Sequence, residues 1–258
     1  MSSTISNVND AQEVLDSALQ DGDLSAQSHA ILVENLDTLT TLGAQGVAPE
    51  DLLEDRVTLF VPILDHTGSR AHEADLMRSE YNKMIESLSQ SSAKDTILVS
   101  SWLFDTSSSL LHGFVSLDDA VRLDGSNYDP TDMTALYDAV IDVFTSTTAY
   151  AKTLLDQGYR VKVVIVVLTD GEDNHSRISP NDVHKVSVDL LNQEIYVLAL
   201  VAFGTGFAHD AAEAMGFPKE NVIEHGLDQK DIRHAFQLVS SSVIRQSQTQ
   251  IGDSASFF

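Results

Sequence analysis

Val57-Thr58-Leu59-Phe60-Val61-Pro62-Ile63-Leu64-Asp65-His66-Thr67-Gly68-Ser69 is an apolar run that ends in one carboxylate and two hydroxyls at alternate positions. A short apolar run bounded by a glycine turn reads as a buried strand, here Val57 to Leu64. The side chains of Asp65, Thr67 and Ser69 can converge on one hard cation, because such ions take oxygen ligands in near-octahedral geometry. Gly68 makes the sharp turn inexpensive. Two further segments offer oxygens: Thr134, opening the helix-like stretch Thr134 to Val140, and Asp170 in Leu168-Thr169-Asp170-Gly171, which follows Val163 to Val167.

From Arg56 onward, short apolar runs alternate with amphipathic stretches, the pattern of parallel strands joined by helices on both faces. The expected fold is α/β: a doubly wound, mostly parallel six-stranded sheet flanked by helices, with an N-terminal helical extension. Strands are predicted at Val57 to Leu64, Thr96 to Phe104, Gly113 to Ser116, Val161 to Thr169, Ile195 to Ala202 and Val222 to Glu224. Helices are predicted at Ser69 to Leu88, Thr134 to Leu155, Pro180 to Asn192, His209 to Met215 and Asp228 to Arg245. Unbroken apolar character in Val163 to Val167 and Ile195 to Ala202 predicts strands buried on both faces, hence central ones. Pro62 cannot donate a ladder hydrogen bond, so a local bulge is expected there.

Residues 8 to 42 read as two helices separated by Asp21-Gly22-Asp23, a hairpin packed on the main domain. The expected organisation is a helical extension over 1–54, the main domain over 55–246 and a flexible tail over 247–258. The tail's composition is too polar to build a core, although Phe257 and Phe258 could serve as a docking peptide. Fifteen basic against thirty-nine acidic residues give a formal net charge of -24, which argues against nucleic acid as a partner and is compatible with a basic protein partner. No stretch is long and apolar enough to span a bilayer, and no membrane partner is expected. With neither a secretory start nor a lipidation motif, a cytoplasmic location is favoured. The absence of cysteine excludes disulfides, thiolate metal sites and cysteine nucleophiles.

On the residues Asp65, Thr67, Ser69, Thr134 and Asp170, the chain resembles the von Willebrand factor type A domain of the intracellular bacterial type. That family's metal ion-dependent adhesion site is written D-x-S-x-S, then a lone Thr, then an Asp in a T-D-G-like turn. All three motifs occur in the family's order over roughly 55–246. The resemblance implies that the short third strand runs antiparallel at an edge. It also implies a Mg2+ ion, with Mn2+ or Ca2+ as alternatives, held directly by Thr67 and Ser69, directly or through water by Thr134, and mostly through water by Asp65 and Asp170. An exposed coordination position would then accept a Glu or Asp from a partner protein, making the chain a binding module and not an enzyme. Relatives of this type pair with ATPases and multi-protein complexes. Where many relatives carry glycines before the lone Thr, this chain has Asp132-Met133, and Asp129, Glu172 and Asp173 add carboxylates nearby.

The rival reading is catalytic. Asp65-His66-Thr67-Gly68-Ser69 also looks like the nucleophile loop of haloacid dehalogenase-like phosphatases, in which Asp65 would attack a phosphoryl group beside a magnesium ion. That chemistry needs a lysine near the transferring phosphate, and Lys152 and Lys162 are the candidates. No G-x-S-x-G elbow occurs to support a serine hydrolase, and Gly204-Thr205-Gly206 lacks the third glycine of a dinucleotide fingerprint. A third reading is a structural module whose metal is permanently satisfied by its own acidic loops. His66 and His175 are expected to be exposed bystanders, and no histidine spacing suggests zinc.

Overall fold

A computed structural model describes residues 5–131, 133–204, 206–250 and 256–258. Three helices, α1 (Val8–Asp21), α2 (Ala26–Glu34) and α3 (Thr38–Gly43), lead into β1 (Arg56–Asp65), α4 (Ala74–Ser89), β2 (Ile97–Phe104) and β3 (Ser108–Ser116). There follow α5 (Leu136–Asp156), β4 (Arg160–Thr169), α6 (Pro180–Asn192), β5 (Tyr196–Phe203), α7 (Ala208–Met215), β6 (Val222–His225) and α8 (Gln229–Gln248). The strands form one six-stranded sheet in the order β3-β2-β1-β4-β5-β6. Every pairing is parallel except that of β2 with the edge strand β3.

Strict alternation of side chains divides the interior into two cores. Leu59, Val61 and Ile63 of β1 and Val163, Ile165 and Val167 of β4 face α5 and α6. Phe60 and Leu64 of β1 and Val164, Val166 and Leu168 of β4 face α4 and α8. All eleven side chains are fully buried, the condition of parallel strands covered on both faces. β4 and β5 lie inside the sheet, as their apolar runs predict.

The bulge expected at Pro62 is absent. β1 keeps one register along β4 through Pro62 and Val166, and the same offset to β2 before and after Pro62. The β2 pairing omits Val61 and Pro62, so the missing N–H falls where no ladder bond is made. The irregularity lies instead between β2 and β3, around Ser101. β3 begins earlier than its apolar run suggested, because pairing with β2 extends through the polar residues Ser108 and Ser109.

The N-terminal segment forms three helices. Asn7 caps α1, accepting from the Asn9 and Asp10 amides, and Gly22 ends it at φ 83°. A reciprocal cap between Asp37 and Thr40 starts α3, a short helix that the apolar pattern alone does not reveal. Ala11, Leu15 and Leu32 are fully buried in the same core as α5. At Gly43 the chain runs so close to Trp102 that a Cβ would lie 2.2 Å from the indole. Beyond it, the Phe114 amide donates to Gln45 O at 2.9 Å and the Val47 amide to Phe114 O at 3.0 Å, which closes part of the β3 edge. Lys152 of α5 reaches Asp21 and Asp156, both at 2.5 Å. Burial alone would lower its pKa; the hydrogen bonds and charges of Asp156 and Asp21 hold it above the ordinary lysine value.

At the other end, α8 continues to Gln248, and the tail expected to be flexible over 247–258 lies partly outside the described residues, at 251–255. Its described end is packed: Phe257 is fully buried in the α4/α8 core, with its amide donating to Asn221 Oδ1 at 2.7 Å and its carbonyl accepting from Arg245.

Asp142 of α5 accepts from Ser108 Oγ at 2.5 Å. Burial pushes its carboxyl up from 3.8 to about 6; the Ser108 bond opposes the rise, while Asp37 and Asp138 add to it. The folded chain therefore holds this proton more tightly than the unfolded one, and stability falls as pH rises through the window from about 4 to about 6. Asp142→Asn, which keeps an acceptor for Ser108, is expected to raise stability at pH 7 by about 1–3 kcal/mol. It should also flatten that part of the profile in urea unfolding measured across pH; an unchanged slope would refute the assignment.

Candidate metal centre

Asp65 is the last residue of β1 and has no solvent exposure. Its Oδ1 accepts from the Thr67 amide at 2.9 Å and from Thr67 Oγ1 at 2.5 Å. Its Oδ2 accepts from Thr169 Oγ1 at 2.5 Å and from the Asp170 amide at 3.3 Å. The network continues outward: Thr67 Oγ1 and Ser69 Oγ lie 2.9 Å apart, and Ser69 Oγ donates to Asp170 Oδ1 at 2.8 Å. Four of the five sequence-predicted residues thus form one chain of oxygens across the carboxyl ends of β1 and β4, adjacent strands at the centre of the sheet.

Thr134 reaches the same place from a third loop. It lies ahead of α5 and not inside it, since the helix begins at Leu136. Its amide donates to Asn174 Oδ1, and its carbonyl accepts from the Asn174 and His175 amides, each at 3.0 Å. Ser176 then caps α5 from outside, its Oγ accepting from the Tyr137 and Asp138 amides, while Asp138 accepts from the Arg177 and Ile178 amides at 3.0 and 2.8 Å. The main chain of Thr134 is therefore fixed on both sides. Its hydroxyl makes no hydrogen bond among the described residues, although the residue is only 5% exposed. It lines an open cleft of about 530 Å³ together with Thr67, Ser69 and Asp170.

His66 is not the exposed bystander that its position suggested. Its side chain is 18% exposed, its Nε2 accepts from the Asp129 amide at 2.8 Å, and its ring centroid lies 5.1 Å from that of Tyr128. The Tyr128 hydroxyl in turn donates to Asp65 O at 2.7 Å. With Thr131 N on His66 O and Ala135 N on Asp105 O, these contacts fasten the 128–135 segment to the ends of β1 and β2. The bond to Nε2 makes that nitrogen the acceptor and leaves the ring proton to Nδ1. His175 is exposed, as expected.

The donor set fits a hard cation. Among the described residues no three His, Asp or Glu side chains gather as a metal would require, which leaves the mixed set of three hydroxyls and two carboxylates. Hydroxyl and carboxylate oxygens suit magnesium, manganese or calcium better than softer metals. Of the five side chains, Thr134's alone has no hydrogen bond among the described residues, and it lines the cleft. Met133, Glu172, Asp173 and Asn174 complete the cleft, with Met133 49% exposed. Asp129 is exposed, and Asp132 lies outside the described residues.

Several residues that position the site escaped the reading of the sequence: Tyr128, Asp138, Thr169, Asn174 and Ser176. Thr169 alone carried a signal, standing next to Asp170 at the end of a buried strand. The others act through loops whose approach to each other is fixed by the sheet order.

No protein-family model matches the chain, and no curated protein matches its sequence. Solved structures do. Proximal thread matrix protein 1 from the mussel byssus is 17% identical with a TM-score of 0.51, the match covering 73% of this chain and 46% of that one. A second structure of the same protein, described with a zinc-occupied MIDAS motif, gives 17% and 0.52 over the same shares. The PilB minor pilin from Streptococcus sanguinis is 13% identical with a TM-score of 0.54, covering 79% of this chain and 64% of that one. The chain therefore spans less than two thirds of the length of each. At such identities the likeness is one of architecture: with five strands parallel, the edge strand reversed and helices on both faces, the chain has the von Willebrand factor type A fold.

Proposed function

We propose that the chain is a divalent-metal-dependent protein-binding module, in which Asp65, Thr67, Ser69, Thr134 and Asp170 hold the ion and a partner protein supplies a Glu or Asp to it. The observation that carries this reading is the Thr134 hydroxyl, unpartnered among the described residues and opening from a nearly buried residue into one cleft with Thr67, Ser69 and Asp170. The similarity to a structure with a zinc-occupied MIDAS motif supports a metal at the corresponding place. Mg2+ is our choice for an all-oxygen donor set, with Mn2+ and Ca2+ as alternatives. When bound, the ion supplies a positive face toward the cleft. The chain's own part is to orient Thr67 and Ser69 through Asp65, to hold Thr134 through Asn174, and to leave the mouth wide enough for a protein side chain.

Phosphotransfer is the weaker reading. A nucleophilic Asp65 would have to reach a substrate, yet it has no exposure and both its oxygens already accept two hydrogen bonds each. Neither candidate lysine is near. Lys162 sits eight residues before Asp170 on a straight strand, roughly 26 Å away at 3.3 Å per residue, where it donates to Gln246, Thr249 and Gln250. Lys152 is held by Asp21 and Asp156.

Thr134→Ala separates metal binding from folding, because it removes a hydroxyl that makes no hydrogen bond among the described residues. In metal-free buffer its unfolding free energy should stay within about 0.5 kcal/mol of the wild type. Its Mg2+ or Mn2+ affinity, read by calorimetry, should fall at least about tenfold. Unchanged affinity would overturn the proposed ligand set. Asp65→Ala is a poorer probe, since it strands buried donors and should cost about 1–3 kcal/mol or more on its own account. We also expect no magnesium-dependent turnover of a generic phosphate ester; turnover that disappears in Asp65→Asn would favour the catalytic reading.

A further inference from the structure

The cleft has a sign as well as a shape. Glu172 is exposed and Asp173 half-buried on its wall, and among its described lining residues there is no lysine or arginine. Asp65 and Asp170 together offset the charge of a divalent ion, so Glu172 and Asp173 leave the mouth negative even when metal is bound. A bare acidic side chain entering here would meet two like charges on the wall of the same cleft, a repulsion that salt screens over about 8 Å at physiological strength. Met133, half exposed on the same rim and next to the unpartnered Thr134 hydroxyl, offers an apolar strip of the kind on which the methylene stem of a lysine lies while its ammonium reaches a carboxylate. The rim is thus complementary to cations and the floor to an anion.

We propose that the ligand class of this cleft is an acidic residue flanked by basic ones: a Glu or Asp that goes to the metal, with neighbouring Lys or Arg side chains that pair with Glu172 and Asp173 and lie against Met133. This rests on the metal-dependent reading above. It narrows the partner from any acidic protein surface to a segment of alternating sign. A partner presenting a purely acidic patch is repelled, and a purely basic one has nothing to give the ion.

Three synthetic peptides test this against the full chain in Mg2+: a central glutamate with two lysines on each side, the same glutamate with alanines in place of the lysines, and a central glutamine with the lysines retained. The lysine-flanked glutamate should bind at least about tenfold tighter than the alanine-flanked one at low salt. That advantage should shrink as salt rises toward about 0.5 M, and it should shrink likewise in the Glu172→Gln/Asp173→Asn double variant. Chelator should abolish binding of both glutamate peptides, and the glutamine peptide should bind at least about tenfold more weakly than its glutamate counterpart. Metal-dependent binding of both glutamate peptides with equal affinity would overturn this inference and leave the metal-dependent reading standing. If neither shows metal-dependent binding, or if the glutamine peptide binds as tightly as the glutamate one, that reading falls and the inference with it.

Discussion

A buried carboxylate at the end of a central strand is the constraint on which the rest of this molecule turns. Asp65 has no exposure, and taking such a group out of water is costly unless its oxygens are met by donors. Among the described residues the donors come from two places only: Thr67, two residues on, and Thr169-Asp170 at the end of the neighbouring strand. The requirement to satisfy one side chain therefore locks the loop after β1 to the loop after β4. It also turns the Thr67 and Ser69 hydroxyls outward along a single line toward Asp170.

The sheet order explains why the third contributor arrives at all. β1 and β4 are adjacent although far apart in sequence, and the chain between them runs out to the β3 edge and returns through α5. Ligand sites in doubly wound sheets lie beyond the carboxyl ends of the strands, where the direction of winding reverses. Here the returning segment is pinned by His66, Tyr128 and Asp105 on one side and by Asn174 and Ser176 on the other. Because these bonds go almost wholly to the main chain, they fix where Thr134 sits and leave its hydroxyl available.

How much of this could be read in advance follows from the range of the forces involved. Strands whose two faces are both buried announce themselves in composition, and β1, β4 and β5 fall within a residue or two of their apolar runs. β3 was read too short because its first half is held by pairing with β2 rather than by its own apolar character. The bulge assigned to Pro62 followed a sound local rule, but the lost donor falls at a gap in the β2 pairing, where it costs no ladder bond. α3 is short and capped by a reciprocal side-chain pair, which leaves little periodicity to detect. Asp65, Thr67 and Ser69 could be read as converging from their alternate spacing, and the family resemblance added Thr134 and Asp170; the structure links the first three to Asp170 and brings Thr134 to the same cleft. His66 and Asn174 were not legible, because their roles exist only once distant loops have been brought together by the sheet.

The chain's few basic residues show where its charge is settled and where it is left open. Of fifteen lysines and arginines in the sequence, Lys152 is spent on Asp21, Asp23 and Asp156, Arg78 on Asp75, Lys185 on Asp182 and Arg177 on Asp138. Apart from those of the buried Lys152, these pairs each have a solvent-exposed partner and add little stability, so their consequence is chiefly one of placement. Cations are drawn to helix flanks and to the junction of the N-terminal helices with α5, while the described residues lining the cleft supply Asp170, Glu172 and Asp173 and no base. A net charge of -24 spread evenly would only keep the molecule apart from its neighbours. Gathered on the wall of a cleft lined by the Thr67, Ser69 and Thr134 hydroxyls, part of the same excess gives that cleft a negative sign.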